Sequence, residues 1–444
     1  MKNISSKKNS IKNIKKFSNK YKDSSKIFSL IIIIILLYYD EKIYYSNPIK
    51  VAYYCISFKN SGVERVISLL LQYLSKEKRF INYLITIKGK SEGEYSLNQN
   101  VKRISLREER MSIIKAIKIN HIDILIYNFY NRKEIRKLNK LKTTKVIYYD
   151  HSSYFYWLYK NIYNFKDSVY YEYKNCNYMI SLIPLENDYL FKRWGIKSIL
   201  MDNPTTFQFE SIIPSDLTKK NVIMIGRADD ALKRFDLGII AMETIIKEIP
   251  DCEMNIISFP VKKYEKLIKN LNLEKKVRFV GYQEKIENFL KNSSLHIFPS
   301  ITEAYPMVLS ETKIFGIPSI IIGLDYLTLA KRGIVVIYDD DPSAIAKEAI
   351  KILKNESYRK FLGKEARRSM KKHKNSIIAK KWLQLILSVY KGKKPHFLKN
   401  SEAQKSISEK EAEKILNNQL ILLQKRKPIL SQLTFAKLVN FSLI

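Results

Sequence analysis

The stretch "LHIFPSITEAYPMVLSETKIFGIPSIII" (residues 295–322) decides how the chain is built. Its first six residues are short and apolar and read as a buried strand. "MVLSETKIF" carries a helical pattern and stops at Gly316, and "PSIII" is the next strand. Pro306 suits the first turn of the helix, where a missing N–H is harmless. Gly316 suits the position just past its end. Two glutamates, Glu303 and Glu311, bracket a mostly apolar run. Glu303 then lies in the loop after the strand, with Glu311 about 7.5 Å along the helix from Pro306 at ~1.5 Å per residue. Helical side chains lean toward the N-terminus. Both carboxylates therefore face the crevice at the carboxyl ends of the strands, where open α/β sheets bind ligands. The helix's first N–H groups favour an anion such as phosphate, and carboxylates accept hydrogen bonds from sugar hydroxyls. A ligand with both sugar and phosphate satisfies the whole set.

Outward from this unit the same alternation continues. Downstream of residue 220, "NVIMIGR", "CEMNIIS", "VRFVGY" and "GIVVI" read as strands with helical patterns between several of them. Upstream, "PIKVAYYCISF" (48–58), "INYLITIKG" (81–89), "DILIYNFY" (123–130), "KVIYYDH" (145–151), "YMISLI" (178–183) and "SILMDNP" (198–204) form an earlier run. Two successive runs predict two doubly wound α/β domains. We place them at 48–205 and 206–375, followed by a helix at 376–392 and a basic tail at 393–444. The tail reads as a loosely docked helix or a second surface anchor.

The 444-residue chain is 46% hydrophobic, enough for two substantial cores, and its formal charge is +36. That excess favours anionic partners; a composition rich in Lys, Ile, Asn and Tyr also spreads lysines everywhere. Residues 1–26 hold nine lysines and one aspartate and read as a disordered basic arm. "IFSLIIIIILLYY" (27–39) is shorter than the ~20 residues a spanning helix needs, and no small-residue cleavage site follows it. A short uncleaved anchor, a half-inserted segment and a buried helix all fit. The lysines beside it suit anionic lipid, so segment 1–47 is read as membrane-associating. Cys55, Cys176 and Cys252 show no pairing or metal spacing, which fits a reducing compartment. No nucleic-acid-binding module is visible, and the basic runs sit in the tails, so nucleic acid is not an expected partner.

In "IGRADDALKRFD" (225–236) Gly226 permits a tight turn. Arg227 and Lys233 lie six apart on a loop that can fold over an anion, Arg through two bonds and Lys as a point charge. "GR…KRFD" followed some 70 residues later by "EAYPMVLSE" resembles the retaining glycosyltransferases of family 4, which have the GT-B fold: two Rossmann-like domains facing each other across a cleft. The resemblance spans roughly 49–390. It implies that Glu303 lies near the donor sugar and Glu311 binds the nucleotide ribose. Arg227 and Lys233 would then bind the diphosphate. Backbone amides over Tyr305, Pro306, Met307, Val308 and Leu309 would contact sugar and phosphate, and Tyr282 would meet the base.

In the first domain "SGVERV" resembles the family's Gly-Gly-x-Glu-Arg-Val. Ser61 replaces one glycine, and Gly62 is implied in the phosphate approach. "VIYYDHSS" implies His151 near the transferred sugar; by itself it also reads as a solvated loop histidine. Where many members carry Gly-x-Gly, this chain has "IISFP", so Ser258 and Phe259 crowd that approach.

The resemblance implies a retaining hexosyltransferase. It would move a hexose from a nucleotide-diphosphate sugar, with UDP the expected nucleotide, to a glycan or lipid-linked acceptor in surface polysaccharide, lipopolysaccharide or glycolipid synthesis. No metal or other cofactor is expected, and Asp339-x-Asp341 reads as turn and cap residues. The expected place is the cytoplasm, at the inner face of the membrane through residues 1–39. Two rival readings share part of this pattern. A glycoside hydrolase also uses paired carboxylates, ~5–9.5 Å apart, but needs no cation clamp. A nucleic-acid-binding protein rests on charge alone.

Overall fold

The computed structural model describes residues 47–59, 61–156, 170–228, 231–393, 395 and 407–432. The basic arm and the apolar run 27–39 lie outside them. No helix among the described residues is long and apolar enough to cross a membrane.

Two parallel sheets organise the chain. The first comprises β1 (Ile49–Cys55), β2 (Phe80–Thr86), β3 (Lys102–Ser105), β4 (Ile124–Tyr127), β5 (Lys145–Tyr149), β6 (Tyr178–Ser181) and β7 (Ile199–Leu200), in the order β3-β2-β1-β4-β5-β6-β7. The second comprises β8 (Asn221–Ile225), β9 (Glu253–Ile257), β10 (Val277–Phe279), β11 (Leu295–Phe298), β12 (Ser319–Ile322) and β13 (Ile334–Ile337), in the order β10-β9-β8-β11-β12-β13. Each order reverses once, between β1 and β4 and between β8 and β11, which are the switch points where such sheets open a crevice. The central strands are buried throughout and mostly apolar, His296 and Ser319 being the polar exceptions, because helices cover both faces. Strand β3, "KRIS", is an edge strand and was not legible as one.

The helices that matter are α1 (Gly62–Leu74), α2 (Ile113–Ile119), α3 (Arg132–Leu138), α4 (Phe235–Glu248), α5 (Lys262–Asn270), α6 (Glu287–Lys291), α7 (Met307–Ile314), α8 (Pro342–Lys354), α9 (Glu356–Ser369), α10 (Asn375–Tyr390) and α11 (Glu409–Gln432). Gly316 ends α7 at φ 71°, and a Cβ on Gly363 would stand 2.3 Å from the Gly316 carbonyl, so α9 crosses this closely because Gly363 lacks a side chain.

The chain then returns to the first sheet. Asn375 exchanges two buried hydrogen bonds with the Thr205 backbone, at 2.6 and 2.8 Å, and Trp382 of α10 lies 5.1 Å from the Tyr149 ring. Within the tail, α11 docks along the ends of β12 and β13, with Leu422 and Arg426 fully buried.

Candidate active site

The loop after β11 carries Glu303, and α7 carries Glu311. Pro306 sits one position ahead of the helix, as its N-cap, and the Leu309 and Ser310 N–H groups already bond its carbonyl. The N–H groups of Met307 and Val308 precede that ladder and have no intrahelical acceptor. The N-terminus of α1 comes against the same place: a Cβ on Gly62 would lie 3.9 Å from Met307 Cγ. Two helix N-termini, one from each sheet's set, thus meet at the mouth of the crevice.

Two cations hold the two carboxylates in this setting. Lys233 Nζ donates to Glu303 Oε1, and both side chains are largely buried. Arg65 Nη1 donates to Glu311 Oε1 across 3.1 Å, and Thr206 Oγ1 donates to the same oxygen at 2.5 Å. The Glu311 side chain is only 2% exposed. Burial pulls the Arg65 pKa down, but Glu311 and then Tyr95 outweigh it and hold it above the ordinary value. Arg65 also lies 5.6 Å from the Tyr95 ring centre, and the Tyr95 hydroxyl bonds the Ser61 carbonyl.

The Lys233–Glu303 pair is built by backbone. Lys233 ends a short 3-10 turn, Ala231–Lys233, and Arg234 follows in the left-handed region at φ 48° before α4 begins. The Ile301 N–H donates to the Leu232 carbonyl at 2.8 Å, which stitches that turn to the Glu303 loop. Arg227 is exposed at the end of β8, just after Gly226, whose φ of 155° is one that residues with a Cβ rarely adopt.

The remaining expected residues fall as follows. The side chains of Tyr305, Pro306, Met307 and Leu309 are buried, so what this stretch can offer a ligand is its backbone. The Tyr305 hydroxyl points away to His373 Nδ1 at 3.3 Å. Tyr282 is half exposed and stacks on exposed Phe259, with ring centres 5.9 Å apart and planes 13° apart. Phe259 therefore turns outward into an aromatic ledge.

His151 is half-buried. Its Nε2 lies 2.9 Å from Asn128 Oδ1, and its backbone N–H donates to the Tyr130 hydroxyl at 3.0 Å. The Asn128 amide nitrogen donates to two backbone carbonyls, so Oδ1 must accept. That assigns the proton to His151 Nε2 and leaves Nδ1 as an acceptor. Burial lowers the His151 pKa to about 3, so the ring is neutral at physiological pH.

The two halves also touch directly. Ser153 Oγ and Thr302 Oγ1 share a hydrogen bond of 2.6 Å, and Thr328 Oγ1 donates to the Leu182 carbonyl at 3.1 Å; within the second half the Glu303 N–H donates to the Tyr326 hydroxyl at 3.2 Å. Sequence reasoning missed Arg65, Thr206 and Thr302. Arg65 stood in the quoted motif, but its partner lies 246 residues away. Asp341 caps α8 by accepting the Ser343 N–H, and Asp339 and Asp340 bond Lys425 and Arg426. Among the described residues no group of three or more His, Cys, Asp or Glu could hold a metal ion.

Residues 207–369 match the family model described as glycosyl transferases group 1. Over 370 residues the chain is 26% identical to the GalNAc-alpha-(1->4)-GalNAc-alpha-(1->3)-diNAcBac-PP-undecaprenol alpha-1,4-N-acetyl-D-galactosaminyltransferase of Campylobacter jejuni, covering 77% of this chain and 99% of that one. Among solved structures, the sucrose-phosphate synthase of Thermosynechococcus elongatus superposes with a TM-score of 0.65 at 17% identity, over 78% of this chain and all of that one. Anabaena HepE in complex with UDP and glucose superposes at 0.60 and 13% identity, over 77% and 100% of the two chains.

Proposed function

From the premise that this chain belongs to the glycosyl transferases group 1 and is a glycosyltransferase of GT-B fold, we propose that it is a retaining family 4 enzyme. It moves a hexose or N-acetylhexosamine from a UDP-sugar to a lipid-linked or polymeric glycan. The observation that carries this reading is the pair of carboxylates held by Lys233 and Arg65 around the N-terminus of α7, with the N-terminus of α1 facing it. The acceptor class follows the Campylobacter relative, whose name gives as acceptor an oligosaccharide on diphospho-undecaprenol. Residues 1–39 would keep the enzyme at an anionic membrane surface where such an acceptor resides.

In the proposed reaction the acceptor hydroxyl attacks the anomeric carbon on the face the diphosphate leaves. A carbon–oxygen bond to the acceptor forms as the bond to the β-phosphate oxygen breaks. The departing phosphate oxygen takes the acceptor's proton. Arg227, Lys233 and the first N–H groups of α7 stabilise charge growing on that phosphate, where preorganised donors act most strongly. Glu303 accepts from sugar hydroxyls and Glu311 from the ribose. Neutral His151 offers Nδ1 as a further acceptor near the sugar. Tyr282 and Phe259 form the ledge against which the base would lie.

A thermal-shift screen of UDP, GDP, ADP and their common sugar conjugates tests this. A ligand at about 100 times its dissociation constant adds about 2.7 kcal/mol to native stability. At least one nucleotide sugar should raise the melting temperature by several degrees. No shift with any of them removes the reading.

A further inference from the structure

Helix α11 lies past the residues matched by the family model and yet reaches the donor loop. It docks closely. Leu422 sits over Gly323 (φ 58°), where a Cβ would stand 2.0 Å from Leu422 Cδ1. Gln419 donates to the Gly323 carbonyl and to Asp325 Oδ1. Lys425 pairs with Asp339 at 3.1 Å. At the inner end stands Arg426, with its side chain fully buried. Its Nε and Nη2 grip Asp340 at 2.7 and 2.8 Å, and its Nη1 donates to the Ile301 carbonyl at 3.2 Å. Asp340 also receives Arg234, the residue after Lys233, at 3.5 Å.

Ile301 is therefore held on both sides. Its N–H bonds Leu232, next to Lys233, and its carbonyl bonds Arg426. Glu303 stands two residues on, with its own N–H on Tyr326. An apolar side chain would fasten a helix as well as a buried guanidinium does, without the desolvation cost. What the guanidinium adds is direction, through two bonds to one carboxylate and a third to one carbonyl.

We propose that α11 braces the donor loop and that Arg426 is a positioning residue for transfer, acting through Ile301 on Glu303; this rests on the role given above to Glu303. The test uses the full chain with Arg426→Met, Arg426→Lys and, as a control on the same helix, Lys425→Ala. Hydrogen exchange is read at Ile301 and Glu303, with amides of β8 and β9 as internal references. In Arg426→Met both loop amides should exchange about 10-fold faster or more, the scale set by a lost bond to a charged group. Arg426→Lys can pair with Asp340 but cannot also reach Ile301 in the same geometry. It should keep α11 protected while the loop loosens. Lys425→Ala should leave the loop as in wild type. UDP affinity by calorimetry should change less than about 2-fold in all three, far below the tenfold per 1.4 kcal/mol of a lost contact, while turnover of UDP-glucose, UDP-galactose and their N-acetylated counterparts falls in the Arg426 variants.

Unchanged exchange at Ile301 and Glu303 in Arg426→Met overturns the brace. A loosened loop with unchanged turnover overturns the positioning role and with it the role of Glu303, but leaves the transferase reading intact. If Arg426→Met does not fold, Asp340→Asn takes its place with the same expected loss of loop protection.

Discussion

Glu64 makes the stability of the first half depend on pH in a direction opposite to that of most carboxylates. It is the third residue of α1, in its first turn two positions past Gly62, and it is buried. Burial pushes its pKa from 4.5 up to about 7, and the Ser61 hydroxyl bonds it within the turn. The folded state therefore holds a proton that the unfolded chain releases above pH 4.5. Between the two values the native protein binds more protons, so stability falls as pH rises. The contribution is fully present below 4.5 and is lost as pH rises through about 7. Integrated from pH 5 to pH 8 between those pKa values, the loss is about 2.5 kcal/mol. Glu64→Gln keeps the shape and has no proton to lose. Urea denaturation of both proteins at pH 5 and pH 8 isolates the effect. Wild type should lose about 2.5 kcal/mol more than the variant over that interval. Equal losses would show that Glu64 ionises in the fold as it does in water, and the burial argument would fail.

Arg227→Ala and Lys233→Ala should each weaken UDP binding by roughly 1.5–3 kcal/mol, as expected for hydrogen bonds to charged groups; unchanged affinity in both, with the fold intact by circular dichroism, would remove them from the donor site. His151, with its pKa lowered from 6.5 to about 3, should stay neutral from pH 5 to 8, so the rate profile should show no step assignable to this ring. The same shift makes its stability contribution present above 6.5 and lost as pH falls toward 3; a His151→Gln variant should lack that loss in acid denaturation. Deleting residues 1–39 should release the protein from anionic vesicles, and undiminished co-sedimentation would put the anchor elsewhere.

The double alternation of strands and helices was readable because parallel strands covered on both faces must be apolar along their whole length. The edge strand β3 escaped because half of "KRIS" is charged and, among the described residues, no strand pairs with its outer side. Glu303 and Glu311 were readable as a pair because one loop and one helix carry both. Their partners were not. Arg65 reaches Glu311 across 246 residues and Lys233 reaches Glu303 across 70. No local period or spacing encodes such pairings; the first follows from the meeting of the two sheets' helices, the second from two loops of one sheet packing side by side. The role of α11 was hidden for the same reason. Arg426 belongs to a charged, tail-like stretch, and its partner Asp340 lies 86 residues upstream in a turn. The backbone of Tyr305–Leu309 was legible as the helix start, while the outward turn of Phe259 against Tyr282 was not, because ring orientation depends on a neighbour from another loop.

The division of labour between the two carboxylates is the centre of the account, and calorimetry with UDP alone tests it. UDP carries the ribose and the diphosphate but no sugar to transfer. Replacing Glu311 with Gln turns a charge-assisted acceptor for the ribose into a neutral one, so UDP should bind about 10-fold more weakly, or about 1.4 kcal/mol. Glu303→Gln should bind UDP as wild type does, because its proposed partner is absent from this ligand. Equal losses in the two variants, or none in Glu311→Gln, would contradict the placement of the donor around α7.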